Sequence, residues 1–229
     1  TAGLQMNVDF SRPILAIDTS TSYLSLAIFA KEQMWTFHEA VGTKQSTLIL
    51  PTLDRLLADA GLARSDIASI VYAQGPGAFT GLRIGLGVAQ GLALAQNLPM
   101  IGIPCLEAVA SLLPEQACVL AATDARMGEV FYAWFNTQTH SRLSDDMVGK
   151  AADIAVLPEH ASAQGIGNAF DLYASAMPFT GRTDMPTAAD YLRLAMSGRY
   201  EACSADAVHL RYVRNKVALT AAEQAARHA

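Results

Sequence analysis

The chain has 229 residues, 52% hydrophobic and 16% charged, a length for one large domain or two small ones and a composition that excludes intrinsic disorder. Its net charge of -5 argues against a protein that holds nucleic acid alone, because counterion release requires clustered Lys and Arg. Cys105, Cys118 and Cys203 form no CxxC pair, so they suggest neither a disulfide framework nor a zinc site and read as thiols of a reducing cytoplasm.

The opening "TAGLQ", ahead of Met6, reads as a vector-derived remnant rather than a targeting signal, since no basic stretch leads into an apolar core. "PILAID" is a short apolar strand, "YLSLAIFA" alternates as its hairpin partner, and "QMWTFHEAV" makes a third strand. A helix over 46–60 follows, with Ser46 as cap, Ile49, Leu53, Leu56 and Ala60 at helical spacing, and Gly61 as its end. Pro51 is expected to disturb its first turns. Next come the strand "IASIVYA", a glycine-rich helix over 81–96 capped by Thr80, and the strand "PMIGI". The uncharged run 84–103 is long enough to raise a membrane span. Gln90, Gln96, Asn97 and Pro99 would then lie in hydrocarbon, and "NLP" reads better as a helix stop, so no span is expected. The order βββαβαβ suits a ribonuclease-H-like or actin-like half rather than a doubly wound nucleotide fold.

Displaced by 106 residues, "ILAIDTSTSYLSLAIF" lies on "LAATDARMGEVFYAWF", matching Ala16 to Ala122, Asp18 to Asp124, Ala27 to Ala133 and Phe29 to Phe135. Duplication of a strand-turn-strand module produces such a repeat; chance agreement is the alternative. The expected domains are 1–105 and 106–229. In the second, "ASAQGIGNAF" reads as strand and turn, and "TAADYLRLAMSGR" and "TAAEQAARHA" as helices.

Actin-like ATPases wrap phosphate with the tips of such modules and use an Asp near each tip to organise metal and water. Asp18 and Asp124 hold those places, with Thr19, Gly75 and Gly77 as further candidates for phosphate contact. The tip "DTSTS" lacks the glycine that lets backbone amides approach phosphate closely, and an Asp there is equally an ordinary turn former. "GPGAFTGLRIGLGVAQGLA" (75–93) holds six glycines in nineteen positions but no GxGxxG fingerprint and no GK[ST]. As a helix it carries Gly85, Gly87 and Gly91 inside, each costing roughly 1 kcal/mol against Ala. Gly87, Gly91 and Ala95 recur along one face, so another backbone can approach closely there, either the domain's own sheet or a helix of another chain. Leu82, Leu86, Leu92 and Leu94 are more than one sheet face hides. His38, His140, His160, His209 and His228 show no ligand spacing, and no GxSxG elbow exists. "HLRYVRNK" (209–216) is the only local basic stretch, either a solvated edge or a contact to RNA inside a complex.

Together, "ILAIDTS", the long glycine motif, "ATDARMGEV" and "YVRNKVA" resemble the bacterial TsaB family, also called YeaZ. The resemblance implies a duplicated ribonuclease-H-like, actin-like (ASKHA) α/β fold and a non-catalytic subunit needed to make threonylcarbamoyladenosine next to the anticodon of tRNAs. It implies partners: the catalytic threonylcarbamoyl transferase paralogue, a pathway ATPase subunit, tRNA through the complex alone, and a second copy when the chain is by itself. Pairing would run through helices 46–60 and 81–96, using Leu48, Ile49, Thr52, Leu56, Arg83, Gly87, Gly91, Leu94 and Ala95. No tightly bound cofactor or metal is implied, only ATP or ADP with magnesium in the complex. Where many members carry a histidine before the first helix, Gln45 stands here, which removes support for a metal or peptidase role. The competing expectation is an actin-like kinase or ATPase built on Asp18 and Asp124.

Overall fold

The computed structural model describes residues 5–213; the expected helix at 220–229 and the basic stretch beyond Val213 lie outside the described residues. In chain order the elements are β1 (Gln5–Met6), β2 (Ile14–Asp18), β3 (Tyr23–Ala30), β4 (Gln33–Ala40), α1 (Gln45–Asp59), β5 (Ser69–Gly75), α2 (Phe79–Gln96), β6 (Met100–Pro104) and α3 (Cys105–Ala110). There follow β7 (Val119–Arg126), β8 (Glu129–Asn136), β9 (Ser141–Arg142), β10 (Met147–Lys150), β11 (Gln164–Ile166), α4 (Ala169–Leu172), α5 (Ala188–Met196) and β12 (Ala202–Cys203), with short 3-10 turns between.

Two compact units result. The first runs to Cys105 and takes in Pro186–Arg211; the second runs from Leu106 to Met185 and resumes at Tyr212. The expected division into 1–105 and 106–229 therefore needs correction: the chain leaves the first unit after Cys105 but returns to it with α5, whose apolar face needs the first sheet to cover it.

The first unit holds a seven-stranded sheet in the order β1-β12-β6-β5-β2-β3-β4. The pairs β2–β5 and β5–β6 are parallel and β2–β3 and β3–β4 antiparallel, so the meander leading into crossover strands is a ribonuclease-H-like arrangement. Alternation along β2 and β3 sends Leu15, Ile17, Leu24, Leu26 and Ile28 to one face, where Ile49, Leu53 and Leu57 of α1 and Ala89 and Ala93 of α2 complete a single core. The opposite face receives α5, whose first N–H, that of Ala188, donates to Ser25 Oγ at 2.8 Å. Gln5 and Met6 pair with Cys203 and Ala202 at the sheet's far edge, so Gln5, read as part of a remnant, belongs to a strand.

The helix ends differ from expectation at their starts. Neither Ser46 nor Thr80 caps: α1 begins after Lys44 and α2 after Ala78, both without a side-chain cap. Pro51 lies inside α1, which runs through it. The stops follow the sequence signals, with Gly61 and Asn97 both left-handed (φ 69 and 54) and Leu62 and Leu98 reaching back to the carbonyls of Leu57 and Ala93.

The second unit has a sheet ordered β10-β8-β7-β11, with β9 on β8. One face packs Leu120, Ala122, Tyr132 and Trp134 against Ala169 and Phe170 of α4; the other packs Val119, Ala121 and Ala133 against Leu106, Val109 and Ala110 of α3. The repeated hairpin is real but slips by one residue: Ala16 faces Ala27 in the first unit, whereas Ala122 faces Tyr132 in the second. The matches of Ala27 to Ala133 and Phe29 to Phe135 thus do not join equivalent positions. Among the described residues no helix is long and apolar enough to cross a membrane.

Candidate partner-binding face

At the end of β2, Asp18 is only 6% exposed. Its Oδ1 accepts the Ser20 amide at 2.9 Å and the Ser20 hydroxyl at 2.6 Å. Burial raises the Asp18 carboxyl above its ordinary range, against the opposing pull of the two Ser20 hydrogen bonds. Burial, helped by the nearby Asp18 charge, pushes the Cys105 thiol up to about 12 and the Tyr191 hydroxyl well above its usual value, so neither ionises readily as a nucleophile. The turn after Asp18 is held by buried Gln45, whose Nε2 donates to the carbonyls of Thr21 at 2.6 Å and Tyr23 at 2.8 Å. Gln45 is therefore a clamp on this turn, a role the sequence hinted at only by placing an amide just before an apolar run.

A carboxyl whose pKa rises on folding binds its proton more tightly in the folded state, so folding stability falls as pH rises from 3.8 toward the raised value. Asp18→Asn keeps an oxygen for Ser20 and removes the buried charge. Its stability relative to the native chain is expected to increase with pH through that window and then level off, as read by urea unfolding at a series of pH values.

The glycines divide by surroundings. A Cβ at Gly75 would stand 2.8 Å from the Arg211 carbonyl oxygen, and one at Gly77 2.8 Å from that of Ser20. The segment before α2 is thus filled by its own chain, with Arg211 N donating to the Gln74 carbonyl at 2.7 Å and Tyr72 Oη to that of His209 at 3.1 Å. Thr19 is buried, and its hydroxyl donates to the Gly81 carbonyl; a Cβ at Gly81 or Gly85 would collide with Thr19. Asp18, Thr19, Gly75 and Gly77 thus all pack against neighbours of their own unit. In the second unit Asp124 is half-buried, and its Oδ1 accepts the Tyr173 hydroxyl at 2.8 Å and the Arg126 amide at 2.9 Å; it behaves as a turn former. Among the described residues no group of three or more His, Cys, Asp or Glu side chains is placed to hold a metal ion.

Gly87 and Gly91 lie on the other side of α2, and a Cβ at either meets nothing within 4 Å. Arg83, Leu94 and Ala95 are exposed beside them, Leu94 to 66%. Phe79, 52% exposed with the Arg83 guanidinium 3.5 Å over its ring, extends the stripe at its start. Phe79 escaped the sequence reading, although it stands two helical steps of four before Gly87. On α1 the expectation needs correction: Ile49, Thr52 and Leu56 are buried in the unit's own core and Leu48 is packed against it, while Leu50 faces out. Apolar spacing identified the inward stripe of α1, and the sheet takes it.

Alanine at Gly87 or Gly91 adds a methyl to open space and removes the conformational entropy cost of an interior helical glycine. Each change is expected to stabilise the isolated chain by about 1 kcal/mol, measured as a rise in the urea midpoint.

Residues 39–228 match the family model described as TsaD, tRNA N6-adenosine threonylcarbamoyltransferase. The tRNA threonylcarbamoyladenosine biosynthesis protein TsaB of Escherichia coli is 39% identical over 147 residues, 59% of this chain and 64% of that protein. Its Haemophilus influenzae counterpart is 39% identical over 123 residues, 52% of each. The chain thus spans between half and two thirds of the length of these curated relatives. Among solved structures, YeaZ from Pseudomonas aeruginosa superposes with a TM-score of 0.76 at 30% identity, over 88% of this chain and 99% of that one. A second, described as an uncharacterized protein with similarity to peptidase YeaZ from Pseudomonas aeruginosa, gives a TM-score of 0.78 at 31% identity, over 89% and 100%. With the duplicated ribonuclease-H-like architecture, these matches show that the chain belongs to the TsaB (YeaZ) family, within the group of sequences that the threonylcarbamoyltransferase model describes.

Proposed function

We propose that this chain is a non-catalytic subunit in the formation of threonylcarbamoyladenosine in tRNA, acting by pairing with the catalytic threonylcarbamoyl transferase paralogue through the outer face of α2 and the adjoining α1. The observation that carries the reading is the open stripe of Gly87, Gly91 and Ala95 flanked by exposed Phe79 and Leu94. An interior helical glycine that meets nothing in its own chain costs stability for no internal gain; a partner helix resting on the stripe supplies the gain by close backbone approach. When the paralogue is absent, the same face takes a second copy. The pathway ATPase and tRNA then act on the pair, and any ATP or ADP with magnesium is held in that complex.

The buried carboxylate and thiol favour this over a kinase or ATPase reading, because Asp18 is committed to Ser20 and shielded from water. Transferase turnover on tRNA by the catalytic paralogue, measured with and without this chain, tests the proposal. Strong dependence on the chain is expected; equal turnover without it overturns the scaffold role. Asp18-dependent ATP hydrolysis by the isolated chain would establish the enzyme instead, and cleavage of a casein-type substrate abolished by a chelator would establish a peptidase.

A further inference from the structure

The sheet of the first unit has two unequal edges. One is β1, two residues long; the other is β4, eight residues long. Long edges are normally guarded by a proline, a mid-strand lysine or a bulge, because their free amides and carbonyls template pairing with another strand. β4, "QMWTFHEA", has none of these, and its register with β3 runs without a break from Ala30↔Gln33 to Tyr23↔Ala40.

The hairpin turn shows which groups face outward. Lys31 and Glu32 both have positive φ (53 and 60), as in a two-residue type I′ turn, which closes on a hydrogen-bonded pair, here Ala30 and Gln33. The same phase continues to the Val41 amide, which donates to the Ser22 carbonyl. Hydrogen-bonded and non-hydrogen-bonded pairs alternate, so Met34, Thr36, His38 and Ala40 turn their N–H and C=O away from β3. Among the described residues no backbone hydrogen bond reaches these groups. Trp35 and Phe37, on the face covered by α1, are only partly buried.

The geometry points to antiparallel pairing of β4 with β4 of a second copy about a two-fold axis, joining two sheets into one. Even-numbered residues must meet even-numbered ones, and the register centred on Thr36 is self-complementary. It sets Thr36 against Thr36 of the second copy, Met34 against His38, Trp35 against Phe37, and Gln33 against Glu39. The two half-covered aromatics complete each other, and Glu39, the only carboxylate of the strand, never opposes its own kind. Centring on Phe37 would instead set Glu39 beside Trp35 and desolvate its charge. The contact lies in the plane of the sheet and does not depend on the outer face of α2.

Sedimentation equilibrium of the full chain carrying Gly87→Leu, which weakens association through the helix face, reads this contact with the other one reduced, and the response to a change in β4 identifies it. A dimer is expected, and adding Thr36→Lys, at an exposed position, is expected to weaken it at least tenfold by opposing two ammonium groups. Independently, Thr36→Cys places two thiols on Cα atoms about 5.5 Å apart in a hydrogen-bonded antiparallel pair, inside disulfide range. Mild oxidation is then expected to yield a disulfide-linked dimer on a non-reducing gel. A Gly87→Leu protein that stays monomeric at every concentration, a dimer indifferent to Thr36→Lys, or a folded Thr36→Cys protein that never links would each overturn the pairing. These include the case in which the edge serves a strand of a different protein.

Discussion

Gly85→Val is expected to lower the stability of the chain by about 3 kcal/mol or more, at the upper end of what overpacking a closed interior costs. A Cβ at Gly85 lands on Thr19 Oγ1 and close to Ile17 Cγ2, and Thr19 cannot step aside without surrendering its hydrogen bond to the Gly81 carbonyl. The displacement would also reach Asp18 and the turn that Gln45 clamps. Gly87→Val, two residues on, meets open space and is expected to leave the urea midpoint nearly unchanged. If the two variants proved equally damaging, the division of the glycines into an inner and an outer set would be wrong.

The second large effect concerns association. Gly87→Leu or Gly91→Leu should leave the isolated chain folded by circular dichroism yet weaken its pairing with the catalytic paralogue by about tenfold to a hundredfold, the equivalent of roughly 1–3 kcal/mol of overpacking at the contact. Transferase turnover on tRNA should fall in parallel and recover when the variant is supplied in excess. Unaltered co-elution with the paralogue at low concentration would move the contact off α2. Comparison with Gly87→Ala separates bulk from helix propensity, since alanine strengthens the helix while adding only a methyl to the contact.

Much of the fold was legible from local patterns. The apolar run of "ILAID" and the alternation of "YLSLAIFA" specify the first hairpin, and βββαβαβ order suffices for the ribonuclease-H-like topology. Gly61 and Asn97 mark helix ends because a left-handed residue closes the last turn. The starts were not legible: Ser46 and Thr80 look like caps, yet both lie inside their helices. The edge strands β1 and β12, two residues each, are too short to carry a period. A gap-free alignment cannot register the one-residue slip of the second hairpin, because hydrogen-bond pairing is a relation between strands rather than a property of either.

The candidate face shows the same boundary between local and global information. Spacing along the chain sufficed to find two helices and to flag the glycines of the second, since periodic polarity follows from backbone geometry. Which side of each helix looks outward depended on what stood opposite. Ile49 and Leu56 went to the sheet because strands β3 and β4 lie beneath α1, and Gly81 and Gly85 went inward because Thr19 arrives from a turn some sixty residues earlier in the chain. Glycine has no side chain to advertise polarity, so a helix that carries it on two sides offers no periodic signal to tell them apart, and the folded neighbours alone assign Gly85 to the core and Gly87 to the surface.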